Sequence, residues 1–410
     1  MAVSRGGSVF EGCILMNEYE PGELRIARED GYCVFPVGGD TYRGCSHGCL
    51  YCYERQADNQ HLRKAQAPTP RDYRQLVNSI YTDPEVRRFV VDFKIPVRLG
   101  ICSEPLPPIE ASERNTLKTL KLLSDLGIPV ILSTKAPQRL SAEHLEYLQQ
   151  PLGVVKVSFS TLDDERARLL EPYAPLPSQR LEAMRAIRAA GIPVVARLNP
   201  WLRTEDYDYG LLAGAANGVT VELFRFSVTW RHSFPVQFWE ILGEPAPGGA
   251  RGEFKRGTPE YKWAYQQEHK YFAPFQSEGI PYHSEGIHWV QSDPFILREI
   301  FERERDKAHA VGLTWGICSF GNGIHNIDLN EAPYCCCVNQ ALNYDRLALV
   351  PQWHKDRWAG YRCDLTEQLD LNLGVLRLIY ANAPSYRPIA LDGGHNGESY
   401  YVEQDAPERG

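Results

Sequence analysis

The chain has 410 residues, 43% hydrophobic, 23% charged and 11% aromatic, a globular composition that excludes a fibrous or wholly disordered protein. With 44 Lys and Arg against 52 Asp and Glu the net charge is −8, which argues against a duplex-binding protein while leaving a local basic groove open. No apolar run is long enough to cross a membrane, and the opening residues, MAVSRGGSVFEGC, lack the apolar core of a signal peptide, so a cytoplasmic protein is expected.

Eleven cysteines are many for such a chain, and in a reducing compartment clustered cysteines signal metal or catalysis rather than disulfides. Cys45, Cys49 and Cys52 stand as C-x3-C-x2-C in TYRGCSHGCLYCYER, a Gly-punctuated loop that can curl three thiolates around a soft metal centre. Zinc would want a fourth ligand, which His47 is badly placed to supply. An iron–sulfur cluster accepts three protein thiolates if its fourth iron takes an exogenous ligand. The spacing favours the cluster and leaves zinc open. Cys13 and Cys363 are isolated and read as small buried hydrophobes.

Further along, β-rich apolar runs at Val97–Ile101, Val130–Ser133, Val154–Phe159, Val194–Leu198 and Val219–Phe226 read as buried parallel strands. Helices are expected between them at Glu110–Leu126, Ala142–Gln149, Ser178–Ala190 and Asp206–Ala216, with Gly127 and Gly191 as stops. Alternation of this kind gives a parallel sheet or barrel with its site at the strands' carboxyl ends.

GEPAPGGARGEFKRG, residues 243–257, reads as a linker. A helix is expected over YKWAYQQEHKYFAPF and a charged, solvated one over Pro294–Val311. His283, His288 and Trp289 either line a pocket or belong to a turn and strand, the second being preferred. Cys318, in GICSFGN, and Cys335, Cys336 and Cys337, in APYCCCVNQ, with His325 in reach along the chain, can form a second metal site holding an auxiliary iron–sulfur cluster or structural zinc, or can be free thiols. The tail from about residue 381 reads as loop. The domain plan is an extension over 1–35, a barrel over 36–242, the linker, and a C-terminal domain over 258–410.

The cysteine triplet, with Tyr51 before its last member, resembles the signature of the radical SAM superfamily. YRGCSHGCLYCYER, GICSEPLPPIE, GIPVILSTKA and VKVSFSTLDDERARLLEPYAPLPSQRLEAMRAIRAAGIPVVARLNP follow one another as in its spore photoproduct lyase-like branch, over roughly residues 36–228. Departures are Ser103, Glu104, Pro105, Pro108 and Glu110 in place of the branch's TDP-x-x-P-x-E, and no Pro-Gly turn after Pro200. The resemblance implies an α/β fold, a partial (β/α)6 TIM-type barrel with the loop after a first strand near residues 37–44. It implies a [4Fe–4S] cluster on Cys45, Cys49 and Cys52, S-adenosylmethionine (SAM) on the fourth iron, and cleavage to methionine and a 5′-deoxyadenosyl radical that abstracts hydrogen from substrate. A reductant such as flavodoxin or ferredoxin is then a partner.

By the same resemblance Tyr51 lies against the SAM adenine, and Ser133, Thr134 and Lys135 of LSTKA lie near its carboxylate and ribose; a strand-end lysine is otherwise a plain exposed charge. Ser158 and Ser160 share a strand face, a position from which this fold commonly touches SAM. Arg197 and Asn199 close the next strand, where an Arg can grip a carboxylate bidentately. Cys102, near the place where spore photoproduct lyases keep a hydrogen-donating cysteine, is either that donor or a buried strand residue. The branch suggests a modified or damaged thymine-type base or nucleoside as substrate. The acidic charge and the C-terminal cysteines suggest small-molecule or natural-product biosynthesis with an auxiliary cluster; a structural zinc or iron protein, or an electron carrier, is the remaining rival. Trp230, Trp263, Tyr271 and Trp289 can stack on a base or fill a core, and Arg251, Lys255 and Arg256 are too few for a DNA stripe.

Overall fold

Strands of a parallel sheet are covered on both faces, and Val154–Phe159 is buried at all six positions, Lys156 and Ser158 included. The computed structural model describes residues 23–26, 37–52, 67–87, 90–91, 96–202, 205–224, 226–227, 280–284, 287–291 and 294–318, with single positions between 238 and 266. In chain order the elements are β1 (Arg25–Ile26), β2 (Val37–Gly39), β3 (Tyr42–Arg43), β4 (Thr69–Pro70), α1 (Tyr73–Thr82), α2 (Pro84–Arg87) and β5 (Val97–Leu99). Next come α3 (Glu110–Glu113), α4 (Asn115–Asp125), β6 (Val130–Thr134), α5 (Ala142–Gln149), β7 (Val154–Phe159), α6 (Asp164–Leu170) and α7 (Pro177–Ala189). The last are β8 (Val194–Trp201), α8 (Tyr209–Ala213), β9 (Gly218–Leu223), β10 (Phe226–Ser227), β11 (Ile280–Ser284), β12 (Ile287–Gln291), α9 (Pro294–Ala310) and β13 (Thr314–Ile317).

The main sheet runs β1-β2-β5-β6-β7-β8-β9-β13. Only the two-residue edge strand β1 is antiparallel to its neighbour; the other seven strands are parallel. The α/β expectation holds, as an open, partial barrel. Six of its parallel strands lie within residues 37–223, and a seventh, β13, joins from further along the chain, pairing with β9 from Thr314↔Gly218 to Ile317↔Val221. Aromatic packing brings that strand in. Phe301 of α9 lies 5.8 Å from the Trp201 ring and 5.9 Å from the Trp315 ring, and Tyr209 O–H donates to Glu304 at 2.8 Å.

The helix expected over Glu110–Leu126 is broken. Arg114 takes φ 52° in the left-handed region between α3 and α4. The break has a partner: the buried Glu110 carboxylate accepts the N–H groups of Thr116 and Leu117, both at 3.0 Å, at the start of α4. Side-chain caps open other helices, Asp72 for α1, Asp163 for α6 and Asp208 for α8. His283, His288 and Trp289 fall in the β11–β12 hairpin, where Tyr282 is registered with Trp289 and His283 with His288.

Register makes the parallel sheet two-faced. Ser133 stands beside Lys156, and Ser158 beside Arg197, which stands beside Thr220. Side chains alternate along a strand, so these residues and Glu222 share one polar face. The opposite face, with Val155, Val157, Ala196 and Val219, joins Leu181 and Met184 of α7 in the apolar core. The helices therefore cover the apolar side, and the polar side is the interior of the partial barrel.

Candidate cofactor site

The loop that carries the three cysteines begins where β2 ends. Asp40, 5% exposed, takes the N–H groups of Ile101, Cys102 and Ser103 on one oxygen at 2.9, 3.1 and 3.0 Å. Burial raises its carboxyl above the usual range, while those N–H groups and Arg71 pull it back. Ser103 Oγ donates to the Tyr42 carbonyl at 2.6 Å, so the chain after β5 is clamped to the chain after β2. The clamp needs a sharp turn at Gly100, which has φ 82°. A Cβ there would stand 2.2 Å from the Ser133 carbonyl oxygen, so only glycine fits.

Gly44 at φ 81° and Gly48 at φ 62° then curl the loop back on itself. Its outer side is pinned by Leu50 N–H to the Leu170 carbonyl at 2.9 Å and by Tyr173 N–H to the His47 carbonyl at 3.2 Å. Cys49 is buried, and Cys45 and Cys52 are half-buried. Burial pushes the Cys45 thiol up to about 12, with the charges of Glu104 and Cys52 adding to it and the backbone N–H groups of His47 and Glu104, bonded to its sulfur, opposing. Burial likewise holds Cys49 well above the ordinary thiol range, helped by Glu171, Cys52 and Cys45. The three sulfurs thus lie within one another's field. Among the described residues no three His, Cys, Asp or Glu side chains converge closely enough for a single metal ion.

Two buried carboxylates tie the loop to neighbouring strand ends. Glu104 accepts from the Thr134 hydroxyl, from Lys135 N–H at 2.9 Å and from Leu106 N–H at 3.0 Å. The His47 ring faces it, with Nδ1 3.6 Å from Oε2; burial pushes that imidazole down to about 4, against the pull of Glu104. Glu171, just past α6, accepts from Lys135 Nζ and Ser160 Oγ, each at 2.8 Å, and from Tyr51 O–H and the Arg180 guanidinium. Burial opposes ionisation of Glu171, but Arg180 and Lys135 outweigh it and hold the carboxyl below the usual range. Tyr51 is pushed above the usual phenol range by burial and then by the Glu171 charge. Lys135 Nζ also sits 5.4 Å from the centre of the Tyr51 ring.

Residues 40–208 match the family model described as the radical SAM superfamily. This stretch of the chain is a radical SAM domain. Uncharacterized proteins of Mycobacterium tuberculosis and Mycobacterium bovis are 29% identical to it over 197 residues, 44% of this chain and 56% of each relative. The match therefore spans little more than half the length of those relatives. Among solved structures, a spore photoproduct lyase variant with dinucleoside spore photoproduct is similar at 13% identity and TM-score 0.44, over 67% of this chain and 72% of that one. SuiB of Streptococcus suis bound to S-adenosylmethionine is similar at 14% identity and TM-score 0.32, over 48% and 43%.

The radical SAM family implies a [4Fe–4S] cluster and SAM. The residues fit that group in kind. Three buried or half-buried thiols on one glycine-turned loop suit a thiolate-bound centre, and two N–H donors on Cys45 suit an anionic, metal-bound sulfur.

The domain brings most of the expected residues to the strand ends. Tyr51, Lys135 and Ser160 meet on Glu171. Thr134 turns to Glu104, and Ser133 and Ser158 lie on the interior face. Arg197 pairs with the chain's own Glu222, through Nε at 3.1 Å and its terminal nitrogen, both on one carboxylate oxygen. Asn199 is two residues further on the same strand face. Cys102 is half-buried after β5, its backbone on Asp40. Cys318 is half-buried just after β13, its N–H on the Val221 carbonyl at 2.8 Å. Cys335, Cys336, Cys337 and His325, with Trp230, Tyr271, Arg251, Lys255 and Arg256, lie outside the described residues.

Sequence reasoning missed Asp40, Glu171 and Arg180, and assigned no role to Glu104. One signal was there to read. Arg180 occupies the same helical stripe as the buried Met184 and Ile187, and an arginine on an apolar stripe needs a buried partner. No helix among the described residues is long and apolar enough to cross a membrane.

Proposed function

We propose that the protein is a radical SAM enzyme that abstracts hydrogen from an organic substrate, with Cys45, Cys49 and Cys52 holding a [4Fe–4S] cluster. The observation that carries this reading is the position of the cysteine loop, between Asp40 and Glu171 at the carboxyl ends of the parallel strands. When bound, the cluster supplies the electron that cleaves the SAM sulfonium to methionine and a 5′-deoxyadenosyl radical.

The chain's own residues would bind, orient and shield. Glu171 holds the Tyr51 ring and Lys135 ammonium together, so a flat aromatic surface and a cation are presented side by side. That pairing suits an adenine and a carboxylate. Glu104 fixes the backbone at Lys135, which limits the travel of the ammonium. The interior face, with Ser158, Arg197, Thr220 and Glu222, would supply donors and acceptors for a polar substrate. A modified or damaged thymine-type base or nucleoside is the substrate class that its motifs favour, with flavodoxin or ferredoxin as reductant and the cytoplasm as location.

The test is anaerobic. After reconstitution the chain is expected to hold about four irons and four sulfides, as a single cluster requires, and to form 5′-deoxyadenosine from SAM and dithionite. Bound zinc with no 5′-deoxyadenosine would make it a structural metalloprotein instead.

A further inference from the structure

A short chain of hydrogen bonds links the Cys45 sulfur to a cation. The sulfur takes the Glu104 N–H. The Glu104 carboxylate accepts from Leu106 N–H at 3.0 Å, and the Leu106 carbonyl accepts from Arg139 Nη1 at 2.7 Å. Leu106 is wholly buried and Arg139 half-buried. The arginine ends a single 3-10 turn, Pro137–Arg139, that follows β6. Its own N–H is bonded to the Ala136 carbonyl at 3.0 Å, so backbone and guanidinium are both held.

Three cations reach the cysteine loop, Arg180, Lys135 and Arg139, and all three act on His47. They are not equivalent. Lys135 and Arg180 are ion-paired to Glu171. Arg139, among the described residues, is anchored by a carbonyl instead, a neutral acceptor that fixes the group without cancelling its charge. Burial draws the guanidinium below its usual range, against the pull of Glu104 and Cys45. Arginine stays protonated in proteins, so the sign of this charge is fixed.

Reduction adds a negative charge to a centre already made anionic by three thiolates. A nearby cation stabilises the reduced form more than the oxidised one. Net charge and hydrogen bonds to sulfur are the levers by which a protein sets the potential of such a centre. The direction does not depend on Glu104, because losing Arg139 makes the surroundings one unit more negative whatever else is charged.

We propose that Arg139 is a redox-tuning residue whose fixed charge, acting through Cys45, makes the iron–sulfur cluster easier to reduce. The inference rests on the radical SAM reading, which it deepens.

Redox titration of the reconstituted full chain without SAM, followed by electron paramagnetic resonance, reads the midpoint and needs no turnover. Arg139→Gln keeps a donor for the Leu106 carbonyl and loses the charge. At the wild-type midpoint its ratio of reduced to oxidised cluster is expected to fall about tenfold, a shift of about 59 mV to more negative potential, with iron and sulfide per chain unchanged. Arg139→Met, which loses the hydrogen bond too, is expected to match it, and Arg139→Lys to stay near wild type. A wild-type midpoint in either neutral variant at full iron content overturns the proposal, as does a lysine variant that shifts as far as the glutamine one. Loss of iron from both neutral variants overturns it as well, because the arginine would then build the site rather than tune it. A wild type that holds no iron, or iron that gives no reduced-cluster signal, overturns the underlying reading before any variant is made.

Discussion

Lys135 Nζ and Glu171 Oε1 meet at 2.8 Å, with the lysine side chain 15% exposed and the glutamate 1%. The pair joins the end of β6 to the loop behind α6, and through Glu171 it reaches Arg180, which is wholly buried. One carboxylate thus answers two cations, and its removal strands a charge in the interior.

Glu171→Gln is accordingly expected to destabilise the fold by about 3–5 kcal/mol, the range for breaking a buried ion pair from one side. Replacing Arg180 by Met in the same chain removes the stranded charge and is expected to restore part of the loss. Urea unfolding of the two single variants and the double variant measures the coupling. Strictly additive effects would show that the two residues do not act as a pair.

Cys49 is the buried member of the cysteine triplet, flanked by Gly48 and by the backbone bond from Cys52 N–H to its own carbonyl at 3.3 Å. Cys49→Ala removes one thiolate of three while leaving that turn intact. Iron per chain is expected to fall from about four to near zero, and 5′-deoxyadenosine formation with it. Retention of both in the variant would remove the triplet from its assigned role.

What was legible depended on range. Period and composition located the strands, because Val154–Phe159 and Val130–Thr134 are rich in β-branched and apolar residues whatever they pack against. Three cysteines within eight positions singled out their loop because the pattern is local. The carboxylates that anchor the loop were not legible, since Tyr51 and Glu171 are 120 positions apart and Asp40 meets Cys102 across 62. The seventh strand was hidden likewise. Nothing local in TWGI says that it pairs with β9; the Trp201, Phe301 and Trp315 contact does. The broken helix at Arg114 follows a contact too, the Glu110 carboxylate on Thr116 and Leu117.

Glu110 also gives the fold a pH dependence. Burial opposes its ionisation, but bonds from His144, Tyr42, Thr116 and Leu117 prevail and hold its carboxyl below 4.5. A folded-state value below the unfolded one means stability that is fully present above about pH 4.5 and is lost as pH falls through the folded value. Wild type is expected to lose stability as pH drops below that point, and Glu110→Gln to lose about 1.5–3 kcal/mol at neutral pH and less on acidification. Urea midpoints at pH 7 and pH 4 compare the two. Parallel pH profiles for variant and wild type would exclude Glu110 as the titrating group.

Cys102 and Cys318 both stand at the carboxyl ends of strands, after β5 and β13, and both are half-buried. Only Cys102 has its backbone clamped by Asp40, through N–H bonds of 3.1 and 3.2 Å. Removing its thiol therefore leaves the loop fixed, and any effect belongs to the sulfur. A thiol beside a substrate radical can return a hydrogen atom, because its S–H bond is weaker than most C–H bonds. Cys102→Ala is expected to keep its iron and to go on cleaving SAM while the product profile changes or turnover falls. Cys318→Ala is the comparison: a change confined to that variant moves the hydrogen-donor role across the barrel to β13, and unchanged products in both leave each cysteine a packing residue.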